Sequence, residues 1–274
     1  MKHIHLTGKK LHGILLKINI NMHNFTRSDT NTLTYIQYTT LVIAIVGAFY
    51  VDFSMQMALL SVAFFYVFSI LGLSLTLHRY YSHKNFEFRH ELLRKFFTII
   101  AILSGRGSPL GWVYIHRLHH KHADTDSDPH GPTTTGFKMF GFKPVDESKE
   151  KMKMFLIKDF INKEHLAYHN NYLLFIIGYA CLLWIISFDL LYFAYVLPLL
   201  SIQFSQNCFN FFAHKTGYRN HNTKDDSTNT IWLWPLIWGD ACHNNHHNNL
   251  AKFTTKEKWW EFDPVVKIAG VVKK

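Results

Sequence analysis

Two long tracts, Ser28 to His78 and Glu164 to His214, contain no lysine or arginine, although the chain carries 29 of them and a net charge of +10. Within these tracts lie four apolar stretches, at about 35–52, 55–77, 172–188 and 189–209. Each is long enough to cross a hydrocarbon layer of about 30 Å as a helix. A tight turn around Asp52–Gln56 separates the first two, and the last two are contiguous. The pattern predicts an all-α integral membrane protein of four transmembrane helices in two hairpins. The basic tail (1–33), the 79–163 region and the chain after His214 then share one side, which the positive-inside rule makes cytosolic. Residues 34–274 form a single membrane domain, with 78–171 and 210–274 as a cytosolic helical cap.

This distribution explains the charge as a face held against anionic lipid, so nucleic acid is not needed as a partner. The three cysteines form no CxxC pair or disulfide framework, which fits a reduced, cytosol-facing setting. The basic N-terminal segment lacks a small-residue cleavage site behind a long apolar core and is read as an interfacial tail, not a signal peptide. Phe96 to Leu103, cut off by Gly105, Gly107 and Pro109, is read as an interfacial or re-entrant helix.

The 19 histidines carry the chemistry. They cluster as His78-Arg-Tyr-Tyr-Ser-His83, His116-Arg-Leu-His119-His120 and His243-Asn-Asn-His246-His247, with Asn210 and His214 four residues apart. In H-x-x-H-H, helical geometry puts all three imidazoles on one face, so two such boxes brought together offer six nitrogen ligands. His78 and His83 are about 140° apart on an ideal α-helix, so that pair must straddle a helix end or a kink. Counting His78, His83, His116, His119, His120, His214, His243, His246 and His247 yields nine donors. A structural zinc takes four, whereas nine suit two metals with room left for water or oxygen. Imidazole alone does not choose among Fe, Zn, Cu and Ni. His90, His122, His165, His169 and His221 are read as ordinary capping or interfacial residues.

The boxes themselves contain no Glu-x-x-His pair of the kind that builds carboxylate-bridged di-iron bundles. Asp124, Asp126, Asp128 and Asp240 are therefore expected to accept ring N–H groups and fix the tautomers. A turn and helix cap before Pro129 is the equal alternative for Asp124–Asp128.

Taken together, HRYYSH, HRLHHKHADTDSDPH, NFFAH and WGDACHNNHH resemble the membrane fatty acid desaturases of the stearoyl (Δ9) type. The likeness runs from about Thr34 through the third box and more weakly through WWEFDP at 259–264. It implies two iron atoms held by the nine histidines, Asn210 reaching the metal through a water, O2 as co-substrate, and a saturated acyl thioester or lipid as substrate. His243, where related desaturases often have Gln, favours the stearoyl-like group. Two departures are Gly239-Asp240 in place of Gly-Glu, and the Thr-rich GPTTTGF at 131–137 near the expected head-group site.

An unactivated methylene has no useful acidity, so the oxidation requires a metal–oxygen oxidant in a dry cavity. An apolar tunnel is expected between the spans, with Trp112, Leu71, Val67, Tyr66 and Ala63 as candidate walls and Tyr66 limiting chain length. With no haem or flavin signature, electrons are expected from a separate donor, cytochrome b5 or a ferredoxin with its reductase, docking on the basic face. The nearest rival is a histidine-box hydroxylase acting on fatty acids or alkanes, or a carotenoid-modifying oxygenase; HRYYSH and DTDSDPH favour desaturation. A metal transporter or sensor would need polar residues along the spans, and these are nearly devoid of them. Compact loops point to a bacterial inner membrane, with the endoplasmic reticulum as the alternative.

Overall fold

The computed structural model describes residues 22–136, 140 and 154–274. Most of the N-terminal tail, and Phe137 of the Thr-rich segment, lie outside the described residues. Among those described the secondary structure is helical, with only isolated β-bridges such as Phe88 to Lys273 and Tyr218 to Asn229.

The helices begin where the sequence supplies caps. After α1 (Met22–Gly47), Ser54 opens α2 by accepting from the Met57 N–H at 3.2 Å. Helix α2 runs over Met55–Ser82 and changes character at Val67, from which it is a π-helix to Ser82. Helix α3 (Glu91–Leu103) follows, and then α4 (Pro109–His122), whose Ser108 cap accepts from Gly111 at 3.0 Å with Pro109 in the first turn. Asn162 caps α5 (Lys163–Ile186), accepting from His165 at 2.8 Å. Ser187 ends α5 and at once caps α6 (Phe188–Phe212), accepting from Leu190 at 3.0 Å, so one residue reverses the chain. Two short helices, α7 (His243–Asn248) and α8 (Val265–Val272), lie in the C-terminal region.

Three of these helices, α2, α5 and α6, are long and apolar enough to cross a membrane. The described apolar part of α1, Thr32–Gly47, is shorter. It stops at Gly47, where a turn replaces the expected continuation to residue 52. Helix α2 runs on past residue 77 through Ser82, and α5 begins at Lys163 inside what was expected to be cap. The outward faces carry Val42, Ile45, Leu59, Val62, Leu174, Ile177, Leu182, Trp184, Ile185 and Phe204 exposed. So much contiguous apolar surface suits lipid and not water.

Inward, Phe68, Leu77, Ala101, Ile102, Leu110, Val113, Tyr195 and Ile202 form one core. It is tightest where α2 crosses α3: a Cβ on Gly72 would come within 3.1 Å of the Ile100 carbonyl oxygen and 3.2 Å of the Ala101 Cα. Glycine is needed there for the backbones to approach so closely. Arg94 of α3 ties that helix to the start of α5, donating to both Glu164 oxygens at 2.6 and 2.7 Å. Helix α3, which contains the expected interfacial stretch, is thus a packed helix braced against α2 and α5.

Candidate metal centre

The π-helix resolves the one spacing that α-geometry leaves unexplained. A π-turn closes from residue i to i+5, which returns the sixth residue to the face of the first. The His83 N–H donates to the His78 carbonyl at 3.2 Å, and the Ser82 and Thr76 hydroxyls each reach back five residues, to Leu77 and Leu71. The His78 and His83 rings consequently lie 4.8 Å apart on one side of α2.

The nine histidines of the boxes gather into two groups: His78, His83, His116, His120 and His246 in one, and His119, His214, His243 and His247 in the other. Within each group the ring nitrogens lie within 4.8 Å of one another. The groups abut, with the His120 and His247 rings 4.4 Å apart. Neither H-x-x-H-H box acts as a single face. Helix α4 sends its i,i+4 pair, His116 and His120, to the first group and His119 to the second. Helix α7 does the reverse, sending His243 and His247 to the second and His246 to the first. The pair four apart is offset by about 40°, while the odd member is turned about 100° from its neighbour, wide enough to face the other centre. Each box therefore stitches the two centres together.

Carboxylates back the rings from outside. Nδ1–H groups donate from His78 to Asp240 at 3.2 Å, from His119 to Asp128 at 3.0 Å, from His214 to Asp124 at 2.8 Å and from His247 to Asp225 at 2.9 Å. Three of these aspartates were legible in the sequence. Asp126 was expected among them, but it is exposed and holds no ring. Asp225 was missed, because it stands next to no histidine box and no motif marks it. Asp128 takes both roles that were weighed for it, since it also accepts from the backbone N–H groups of Asp124 and His130 at 2.9 and 3.1 Å. The shortened Asp240 still reaches His78, and Arg79 lies 3.4 Å from the same oxygen.

On these four rings, Nδ1–H committed to a carboxylate leaves Nε2 free to face inward. Nε2–Nε2 separations are 3.0 Å for His78–His246, 2.7 Å for His83–His116 and 3.0 Å for His214–His243. Burial, reinforced by the neighbouring imidazoles, holds His83, His116, His120, His243 and His246 well below the ordinary histidine range. Burial likewise pushes His247 down to about 4, even though its bond to Asp225 opposes the shift. Burial would raise Asp240, but His78 and Arg79 outweigh it and hold the carboxyl down to about 2. Neutral imidazoles beside ionised carboxylates are the protonation state that binds metal. His247 Nε2 is buried without a partner. Two clusters of converging ring nitrogens, four of the rings oriented by carboxylates, make a donor set that fits two metal ions.

His130, which sequence reasoning passed over, stacks on His119 at 4.4 Å and joins it with Asp128 in a third, smaller cluster. Three of the five set-aside histidines have ordinary partners: His165 the Phe160 carbonyl, His169 the Ser108 hydroxyl and His221 Glu257, whereas His122 Nε2 is buried without one. Asn210 lies one turn before His214 on α6, half-buried. Of the tunnel candidates, Trp112 stacks against His116 at 6.2 Å. Tyr66 meets Trp238 edge-on at 5.0 Å, and Val67 and Leu71 are half-buried against the core. Ala63 is exposed on the outer face of α2 and lines no interior wall.

Among the described residues, fold and site together define a class: a helical protein with three helices long and apolar enough to cross a membrane and two adjacent histidine groups that could hold metal, backed by aspartates. A profile described as Fatty acid desaturase matches residues 53–251, and the chain belongs to that family of oxidoreductases. It is 29% identical over 210 residues to the sn-1 stearoyl-lipid 9-desaturase of Anabaena variabilis, covering 70% of this chain and 72% of that protein. It is equally 29% identical over 210 residues to the icosanoyl-CoA 5-desaturase of Limnanthes douglasii, covering 71% of this chain but 56% of that one. The hex-5-enoyl-[acyl-carrier protein] acetylenase of Moorena producens is 25% identical over 217 residues, covering 71% and 67%.

Proposed function

We propose that the protein is an O2-dependent desaturase that introduces a cis double bond, at Δ9, into a saturated acyl chain. The observation that carries this reading is the inward convergence of nine imidazoles into two adjacent groups in a desaturase-family chain. The five-histidine group and the four-histidine group would each hold one iron, and Asn210 would reach the second through a water. When bound, the irons supply the oxidant that an unactivated methylene requires. Four outer aspartates hold four imidazoles in the metal-binding tautomer, and their four negative charges balance two divalent cations.

The rest of the chain positions the substrate. An acyl chain lies between Trp112 and the α2 face formed by Tyr66, Val67 and Leu71, whose apolar walls exclude water from the reacting carbons. Helix α1 joins the three long helices as a fourth span, making two hairpins with the histidine groups and basic loops on the cytosolic side. Electrons come from a separate donor, cytochrome b5 or a ferredoxin with its reductase, docked on that basic face, and its turnover falls as salt rises.

The test is expression in a host lacking oxygen-dependent desaturases, beside His119→Ala, with total fatty acids analysed by gas chromatography and mass spectrometry. A new monounsaturated acid with the wild type alone is the expected result, and its fragmentation locates the bond. Hydroxylated acids in its place would transfer the protein to the hydroxylase reading.

A further inference from the structure

Helix α7 presents three box histidines, yet it is six residues long and Cys242 at its start makes no side-chain cap bond. So short a helix does not hold its own conformation in place. On a helix turning about 100° per residue, His243 and His247 lie about 40° apart, and His246 lies about 100° from His247. Asn245 points about 180° away from the bisector of His243 and His247. Turning α7 by a fraction of a turn would take His243 and His247 off the four-histidine group and His246 off the five-histidine group together. Contacts from outside the helix must fix that angle.

Asn245, 1% exposed, makes them. Its Oδ1 accepts from the Nδ2 groups of Asn220 at 2.8 Å and Asn229 at 2.9 Å. Its Nδ2 donates to the Thr255 carbonyl at 2.9 Å and to Glu261 at 3.0 Å. These four bonds use every donor and acceptor position that a side-chain amide offers. The Asn245 backbone N–H also donates to Asn229 Oδ1 at 3.2 Å, so the two asparagines bond reciprocally. Asn244 braces the flank: its Oδ1 accepts from the backbone N–H groups of Asn220 and His221 at 2.9 and 2.8 Å, and its Nδ2 donates to the His221 carbonyl at 3.0 Å.

The two amides thus tie α7 to the 220–229 and 255–261 loops. Asn220 also donates to Glu261 at 2.8 Å, which joins the loops to each other. The 220–229 loop carries Asp225 as well, so the His247 ring and the helix that bears it are held by one frame. An apolar side chain of the same size would fill the space equally well, whereas directed bonds in a buried, fully satisfied network specify one rotation.

We propose that Asn245 is a positioning residue for both metal centres: it fixes the rotation of α7 and thereby the rings that each centre receives. The assignment rests on the metal reading of the two histidine groups.

The test loads wild type, Asn245→Asp and Ile102→Val with 57Fe(II) in detergent without oxygen. Aspartate keeps the shape of asparagine but sets an oxygen where the amide donates to Thr255 and Glu261. Ile102 is a core residue of α3, a helix without a box histidine, so its variant reports general destabilisation alone. Release of iron to a chelator and the Mössbauer spectrum are recorded on protein that elutes as wild type. Asn245→Asp should release both irons at about 10–100-fold lower chelator concentration and shift the signals of both, because α7 serves both groups. Ile102→Val should match wild type in release and spectrum. Asn220→Ala removes one of the four bonds and should move release about threefold in the same direction. It decides alone if Asn245→Asp does not fold. Wild-type release and spectra in both asparagine variants overturn the assignment, as does a change confined to one iron or an equal change in Ile102→Val. A wild-type chain that holds no iron overturns the metal reading itself, and the assignment falls with it.

Discussion

His116 and His119 sit on the same helix and in the same motif, yet they belong to different centres: the His116 Nε2 lies 2.7 Å from that of His83, while the His119 ring lies 5.0 Å from that of His214. The motif is therefore a bridge between the two histidine groups.

Paired substitutions read this division directly. His116→Ala with His120→Ala strips two ligands from one centre and should leave about one iron per chain, because the four-histidine site stays whole. His116→Ala with His119→Ala injures both centres and should leave less than that. Iron per chain, measured by plasma mass spectrometry on protein that elutes as wild type, distinguishes them; equal iron in both double variants would rule out the division.

Asp225→Asn removes the ionised acceptor of the His247 Nδ1–H, 2.9 Å away. Comparable outer partners are worth about 10–100-fold in metal affinity. Competition against a chelator should therefore release one iron early and the other at the wild-type concentration. Asp126→Asn, on an exposed residue of the same charge, should match wild type.

Glu261 supplies the pH dependence of stability. Burial would raise its carboxyl, but donors from Tyr218, the Lys258 and Glu257 backbone and Asn245 outweigh burial and hold it below the ordinary range. A lowered carboxyl stabilises the fold fully above the unfolded value of about 4.3 and ceases to do so as pH falls through its folded value. Glu261→Gln should cost about 1–3 kcal/mol at pH 7. Its melting temperature should converge on that of wild type as pH drops below about 4. A gap that persists unchanged in acid would dissociate the effect from ionisation.

Tyr66 is the chain-length determinant if the substrate follows α2, since its ring blocks the space beside Trp238. Tyr66→Ala should shift the monounsaturated products toward longer acyl chains by opening a cavity. An unchanged profile of chain lengths would remove Tyr66 from the tunnel.

The donor inventory was legible in the sequence because ligand type and helical spacing are local properties. Nine histidines in boxes, apolar stretches free of basic residues and three of the four backing aspartates could all be read from short windows. Hairpin boundaries were less so, since helix ends depend on caps such as Ser187, which closes α5 and opens α6 at once. Tertiary structure alone decided which histidine group each ring joins, the π-geometry that brings His83 beneath His78 and the pairing of Asp225 with His247. Each of these depends on the relative rotation of helices packed in three dimensions, and rotation is fixed by close contacts, such as Gly72 against Ile100, between residues far apart in the chain.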